Sequence, residues 1–392
     1  MLTKNFLPYA AHDVDESDCE AVMKVLHSSH LTRGETVQLF EQKLAEYCGA
    51  PYAVCFNSGT SALSAACFAA ELSSLDTYIT SVNTFIASVV PALQQKMTPL
   101  LCDVDTSTGL MDVETLDWEA INQKSRGQII SIPVHYAGIP CDVADLERHL
   151  ASRHARIIED AAPALGAWED TACTRRVGCC SKSDLCVFSF HPAKTITTGE
   201  GGAVTTHSKD LYERLRLYRN NGISLIKDKE HQQVHSYASS FATGNFHLSD
   251  LQAALGLSQL ERIDSMIKHK RLVAEWYSQG LQHTPHLQVL HRLLCPQTAP
   301  SLFVIKIRFS ELSITKEQLM EALSKAGIGS QVHYLPLYRH PIVKLNASAF
   351  PQAESFHAEA LSLPLTTKLK QQDVEFICHT LHTLIKGAQL KK

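Results

Sequence analysis

The chain has 392 residues, 45% hydrophobic and 19% charged, with 36 Lys+Arg against 40 Asp+Glu and a net charge of -4. That length and apolar share suit a large α/β domain with a smaller companion and exclude fibres, disordered tails and disulfide miniproteins. The charge balance gives no sign of the basic face a nucleic-acid binder needs, although a local pocket for a phosphorylated small molecule remains compatible with it.

Twelve cysteines over this length are too sparse for a disulfide scaffold. Cys48, Cys55, Cys67 and Cys102 lie in apolar runs, where a free cysteine acts as a small hydrophobe. The opening stretch MLTKNFLPYAAHDVDESD lacks the unbroken apolar region of a signal peptide and soon turns acidic. No run approaches the ~18 apolar residues of a membrane span. The expectation is a reduced, cytoplasmic protein.

In chain order, Cys19, Val22, Met23 and Leu26 share one face and predict a helix over Glu16–His27, after which Gly34 breaks the pattern. Tyr52–Phe56 reads as a strand, Asn57-Ser58-Gly59 as a turn, and Thr60 to about Leu72 as a helix. Tyr78–Thr80 predicts a strand, Phe85–Gln95 a helix, and Pro99–Cys102 another strand. Gln128–Val134 reads as a strand before a helix at Val143–Ala151, and Arg156–Glu159 as a buried strand running into Asp160. Leu185–Phe190 and Gly202–Thr206 are two further strands around a loop that carries Lys194. This alternation predicts a mainly parallel sheet with helices on both faces.

Beyond Asn220-Asn221-Gly222 the sequence reads as polar loop to about Thr243. A long helix is then expected from Ser249 to Met266, and the domain boundary is placed near it, dividing residues 1–248 from 249–392. The last third predicts a strand at Leu302–Phe309 and a helix opened by the capping pattern Thr315-x-x-Gln318. It closes with a helix carrying Val374, Ile377, Leu381 and Ile385 on one face. There is no internal repeat.

Three features carry chemistry. The turn Asn57-Ser58-Gly59-Thr60-Ser61 leads from strand to helix, so its free N–H groups and hydroxyls can hold a phosphate; the same residues also serve as an ordinary N-cap. Asp160 ends a strand, where side chains of parallel sheets reach the ligand crevice, or where it simply caps the next segment. Lys194 follows a strand, between Pro192 and a glycine-bearing turn, where burial would fit it to form a Schiff base with a carbonyl; a surface lysine is the plainer reading. A phosphate cup, a strand-end acid, a serine and a loop lysine together are the parts of a pyridoxal phosphate (PLP) site. Cys173, Cys179, Cys180 and Cys186 form a C-x5-C-C-x5-C series without the paired spacing of a zinc site, and no metal is expected. The stretch 168–184 around them reads as an irregular loop or hairpin.

The blocks LTRGETVQLFEQKLAEYCGA (31–50), FNSGTSAL (56–63), NTFIAS (83–88), IIEDAAPALGA (157–167) and FSFHPAKTITTGEGGAV (188–204) extend a likeness over nearly the whole chain. So do YRNNG (218–222), GNFHLSDLQAALGLSQL (244–260) and QVHYLPLY (331–338). Together they resemble the DegT/DnrJ/EryC1/StrS sugar aminotransferases of the fold-type I PLP enzymes. The blocks around Lys194 and at 331–334 are most similar to members that work in pseudaminic acid synthesis.

The resemblance implies a large domain with a mixed, mostly parallel sheet and a smaller C-terminal α/β domain. It implies that Lys194 carries the Schiff base and shuttles the proton, while Asp160 pairs with the pyridine nitrogen. Phe85 would stack on the cofactor ring; from the residues alone it reads as a core aromatic. Gly59, Thr60 and Ser189 would hold the phosphate, with Asn245 reaching it from the neighbouring subunit of a homodimer. Tyr9, Ser29, His30, Leu31, Thr32, Gln331, Val332, His333 and Tyr334 would line the nucleotide-sugar pocket.

The implied reaction moves the amino group of L-glutamate to UDP-4-keto-6-deoxy-L-AltNAc through the pyridoxamine form, releasing 2-oxoglutarate. Alternatives are another nucleotide-linked keto sugar giving a 3- or 4-amino product, or a catalytically silent scaffold or sensor. The chain departs from the family at Pro163, where Gln or His usually stands beside the cofactor's phenolic oxygen, and at Asn221, where the family run is Arg-Asn-His-Gly. Some relatives carry His for the lysine and act as dehydratases; Lys194 argues against that chemistry.

Overall fold

The computed structural model describes residues 6–227, 234–343 and 345–388. The first five residues of the N-terminal stretch and positions 228–233 of the polar region read as loop lie outside them. The strands β1 (Tyr52–Phe56), β2 (Thr77–Ser81), β3 (Leu100–Cys102), β4 (Ile129–Ile132), β5 (Ala155–Asp160), β6 (Leu185–Ser189) and β7 (Gly202–Thr206) follow the expected order. They form one seven-stranded sheet, β1-β7-β6-β5-β4-β2-β3. All its pairings are parallel except those of β7, which runs antiparallel to β1 and β6.

Alternation along the strands buries both faces. Val54, Phe56, Leu185 and Val187 join a core with Ala62 and Ala66 of helix Gly59–Ala69. Ala53, Cys55, Cys186 and Phe188 point the other way, onto Phe40 and Leu44 of helix Glu35–Cys48. That helix and Lys209–Arg219 were not anticipated. Gly34 is the N-cap of the first of them, and Gly49, at φ 78°, ends it.

The reversed β7 has a consequence for the site. The carboxyl ends of β1, β2, β5 and β6 and the start of β7 meet at one edge, with Gly202 in register between Phe56 and Ser189. Ligand crevices of α/β sheets open at this edge.

Three local expectations change. Helix Phe85–Gln95 is a 3-10 turn, Ile86–Val89, leading into a short α-helix, Val90–Gln94, with Pro91 in its first turn; proline is tolerated there because those N–H groups have no partner in the helix. The polar region contains an antiparallel hairpin, β8 (Ile223–Lys227) with β9 (Val234–Ser239). Ladder bonds need no apolar alternation, and Tyr237 of β9 is 68% exposed. The helix expected over Ser249–Met266 is two, Asp250–Glu261 and Ile263–Leu281. Between them Arg262 adopts φ -113° while its Nη2 donates to the Asp13 carbonyl at 2.8 Å and to the Asp18 carboxylate. Neither glycine nor proline signals this break.

The last third carries a second sheet, β10 (Leu287–Val289), β11 (Phe303–Ile307) and β12 (Ala360–Leu363), antiparallel throughout. Thr315 caps helix Lys316–Lys325 through the expected box with Gln318. Val374, Ile377, Leu381 and Ile385 of helix Gln371–Gly387 are buried with Val304 and Leu319. That core also takes in Val82, Val89 and Tyr136 from the central sheet's side. Gln331 exchanges backbone bonds with Ser362 of β12 at 3.1 and 2.8 Å, which carries the segment 331–334 to the sheet edge. No helix of the described residues is long and apolar enough to cross a membrane.

Candidate active site

A cavity of about 590 Å³ opens at that edge, lined among others by Tyr9, Gly59, Thr60, Phe85, Asp160, Ser189, Lys194 and Gln331–Tyr334. These residues lie far apart in the chain; Gly59, Thr60, Phe85, Asp160, Ser189 and Lys194 end or follow strands whose ends face the same side, while Tyr9 and Gln331–Tyr334 are brought over it from the N-terminal stretch and the last third.

The floor is the start of helix Gly59–Ala69. Ser58 Oγ accepts from Ser61 N at 3.1 Å and the Ser58 carbonyl from Ala62 N at 3.1 Å. The N–H groups of Gly59 and Thr60 are thereby left as the open donors of this helix start, the usual setting for an anionic group. Two glycines bring three backbones together here. A Cβ at Gly59 would stand 2.9 Å from Ser189 Cβ, and one at Gly202 only 2.6 Å from the Ser58 carbonyl oxygen. The result is a small cradle of N–H groups and the Ser189 hydroxyl, sized for a phosphate.

Asp160 ends β5 and is 4% exposed. Its Oδ2 accepts from Ser88 Oγ at 2.6 Å and its Oδ1 from Ala162 N at 3.2 Å. Lys194 sits on a turn closed by its own N–H to the His191 carbonyl at 2.8 Å. Enclosure pulls its pKa below that of an ordinary lysine, and the charge of Asp160 works against that shift. No protein group in the described residues accepts a hydrogen bond from its Nζ. An enclosed lysine, a strand-end carboxylate and a phosphate-sized cradle in one cavity fit the aldehyde, ring nitrogen and phosphate of PLP. Phe85 stands at the rim, 57% exposed, its ring centroid 6.2 Å from that of Tyr334. So large an aromatic exposed beside a cavity is a surface for a flat ring, not the core position its residue type alone suggests.

The far wall comes from the last third. His333 Nδ1 and Ser362 Oγ are 2.9 Å apart, and its ring lies 5.4 Å from that of Tyr9. Burial and the nearby charge of Lys194 bring its pKa down to about 4, so the imidazole is neutral at pH 7. Burial raises the Tyr334 phenol well above its usual range. Tyr136 donates its hydroxyl to the His333 carbonyl at 2.6 Å and shares the wall.

Ser29, His30, Leu31, Thr32 and Asn245 are exposed and outside this cavity. They gather elsewhere: Thr32 bridges Ser249, the Leu31 carbonyl accepts from Asp250 N at 3.0 Å, and Asn245 bridges Asn220. Pro163 does line the cavity. Trp168 bridges Arg176 across the cysteine-bearing loop, and burial holds the Cys180 and Cys186 thiols well above the usual range.

Sequence reading missed Thr84, Ser88, Tyr136, His191 and Glu200, of which all but Ser88 line the cavity. The one local hint was the spacing of Thr84 and Ser88, which sets two hydroxyls on one face of a helical turn.

Comparison with known proteins agrees with this geometry. Residues 12–382 match the model of the DegT/DnrJ/EryC1/StrS aminotransferase family. The UDP-4-amino-4,6-dideoxy-N-acetyl-beta-L-altrosamine transaminase of Helicobacter pylori is 32% identical over 380 residues, covering 95% of this chain and 96% of that protein. The solved structure of Helicobacter pylori PseC, an aminotransferase of pseudaminic acid biosynthesis, superposes with a TM-score of 0.85 at 30% identity, covering 97% of this chain and all of that one. Spr1654 of Streptococcus pneumoniae, a putative sugar aminotransferase solved in PMP and PLP forms, reaches TM-scores of 0.87 and 0.85 at 26% and 25% identity. The PMP form covers 97% of this chain and 98% of that one. The chain belongs to the DegT/DnrJ/EryC1/StrS aminotransferase family and is a sugar aminotransferase, with dependence on PLP implied by that membership.

Proposed function

We propose that this enzyme moves the amino group of L-glutamate to the 4-keto carbon of UDP-4-keto-6-deoxy-L-AltNAc, in pseudaminic acid or related surface-glycan synthesis. The observation that carries the chemistry is the enclosed Lys194 sharing one cavity with Asp160 and the open donors of Gly59 and Thr60. The sugar rests on the likeness to the transaminase and PseC of Helicobacter pylori.

PLP supplies an aldehyde that takes up an amino group and a ring that accepts the electron pair left when a proton departs. The chain's residues do the rest. Gly59, Thr60 and Ser189 would hold the cofactor's phosphate, Asp160 would pair with its ring nitrogen, and Phe85 would pack against the ring. Lys194 Nζ, held below its ordinary pKa, takes the α-proton of glutamate in the first half-reaction. In the second half it moves the corresponding proton so that the amino group leaves on the sugar. Tyr9 and Gln331–Tyr334 orient the nucleotide sugar, the neutral His333 being able to donate or accept.

In this reading the enzyme is a cytoplasmic homodimer. Asn245 reaches the phosphate of the partner's site, and Ser29–Thr32 contribute to the sugar pocket. Residues 1–248 form the cofactor-binding domain and 249–392 the smaller one.

The test is a visible spectrum of the PLP-loaded protein. L-Glutamate should convert the cofactor band to that of the pyridoxamine form, and UDP-4-keto-6-deoxy-L-AltNAc should restore it. Conversion without restoration would leave an aminotransferase with a different sugar. A protein that takes up no PLP would defeat the reading.

A further inference from the structure

Asp160 is held by the Ser88 hydroxyl, and Ser88 in turn by that of Thr84, two hydroxyls that the proposed reaction does not use. Ser88 Oγ donates to Asp160 Oδ2 at 2.6 Å, and Thr84 Oγ1 lies 2.7 Å from Ser88 Oγ. Both side chains are buried, at 0% and 1% exposure. A serine hydroxyl has one proton. Since Ser88 gives its proton to Asp160, the proton in the second contact belongs to Thr84. The chain is therefore directional, from Thr84 through Ser88 to the carboxylate.

Its middle member is fixed on the backbone side as well. The Ser88 carbonyl accepts from the Tyr78 hydroxyl at 2.5 Å, and Ser88 N donates to the Phe85 carbonyl at 3.1 Å. Tyr78 is itself 1% exposed on β2. The hydroxyl thus has little freedom to turn away from Asp160.

A donor at one carboxylate oxygen fixes the plane of the carboxylate, and so the direction in which the other oxygen accepts.

Resting on the PLP reading above, we propose that Ser88, itself held by Thr84, is a positioning residue that aims Asp160 at the cofactor's ring nitrogen. Ser88 acts only through Asp160; it does not line the cavity.

The experiment compares apoprotein of wild type, Ser88→Ala and Thr84→Val. Each is titrated with PLP and with the carbocyclic analogue in which the ring nitrogen is replaced by C–H. A hydrogen bond to a charged group sets the scale, so Ser88→Ala should bind PLP about tenfold or more weakly. Thr84→Val, which keeps Asp160's direct partner and nearly the same shape, should shift affinity the same way by less. With the analogue, Ser88→Ala should bind as wild type does, because no ring nitrogen is present for Asp160 to hold, and Thr84→Val, which alters a cavity-lining side chain, should weaken the analogue less than it weakens PLP.

Equal weakening toward PLP and the analogue would mean a merely structural role and overturn the inference. So would a Ser88→Ala protein indistinguishable from wild type toward PLP. Thr84→Val keeps the comparison open should Ser88→Ala fold poorly. Failure of the wild type to bind PLP would overturn the functional reading, and this inference with it.

Discussion

Replacing Gly202 by alanine tests whether the phosphate cradle depends on backbones in contact. The added Cβ would meet the Ser58 carbonyl oxygen at 2.6 Å, Gly59 N at 2.7 Å and the Ser58 carbonyl carbon at 2.7 Å. All three are backbone atoms of the helix start, so no side chain can swing aside. Restoring an ordinary contact of 3.4 Å drives β7 and that helix start apart by about 0.8 Å. Because β7 is paired on both sides, with β1 and β6, it cannot yield alone. Overpacking of this kind costs about 1–3 kcal/mol. A displacement of nearly 1 Å in a positioning group lowers catalysis by up to ~100-fold. Urea denaturation of the apoprotein reads the first effect, and PLP titration with glutamate half-reaction kinetics reads the second. Stability and PLP affinity both unchanged would refute the close-approach argument for this site.

Other outcomes follow from named contacts. Lys194→Ala should keep the wild-type circular dichroism yet lack the cofactor band and all turnover; normal turnover would remove the central assignment. Asp18 has a fully buried side chain that accepts from Arg262 Nη2 and from Gln259 Nε2 at 2.6 Å. Arg262→Leu removes the cation from that buried carboxylate and leaves it only the Gln259 and Asp15 N–H donors, at a cost of about 3 kcal/mol, measurable by urea denaturation. Lys270 is 5% exposed, and burial brings its pKa down to about 8, with Asp13 opposing and Lys194 adding to the shift. Its charged form is disfavoured in the fold, so the penalty is full below pH 8, shrinks from 8 toward 10.5 and vanishes above. Lys270→Met should accordingly stabilise the protein by up to roughly 3 kcal/mol at pH 7, with the difference fading by pH 10.5; a gain that does not change with pH would contradict the cause given. His333, neutral in the fold with a pKa of about 4, works in the same direction over a lower pH window. Its contribution is whole above pH 6.5 and is lost as pH falls toward 4, where His333→Gln should have the flatter stability curve.

Much of this protein was legible locally. β1 and β7 keep their expected bounds because each is a short apolar run ended by turn chemistry, and the Thr315–Gln318 box needs only residues three apart. Lys194, Asp160, Gly59 and Ser189 stood out because each combines a telling residue type with a strand end. The pairing of β8 with β9 was not legible, since ladder bonds between two strands can form without an apolar face to mark them. The break at Arg262 was not either, since it depends on Asp13 and Asp18 from almost the other end of the chain.

The sequence by itself determined which residues can carry the chemistry and that they lie at the ends of strands in an α/β sheet, because residue type and hydrophobic period are local properties. Only the tertiary structure decided that they meet. The single reversed strand β7 brings Gly202 against Ser58, the second sheet swings His333 and Tyr334 over the same edge, and Ser88 closes on Asp160 from 72 residues away. The same structure leaves Asn245 and Ser29–Thr32 outside the cavity of their own chain. Contacts of this kind depend on how strands are ordered and faces are packed, which no run of neighbouring residues encodes.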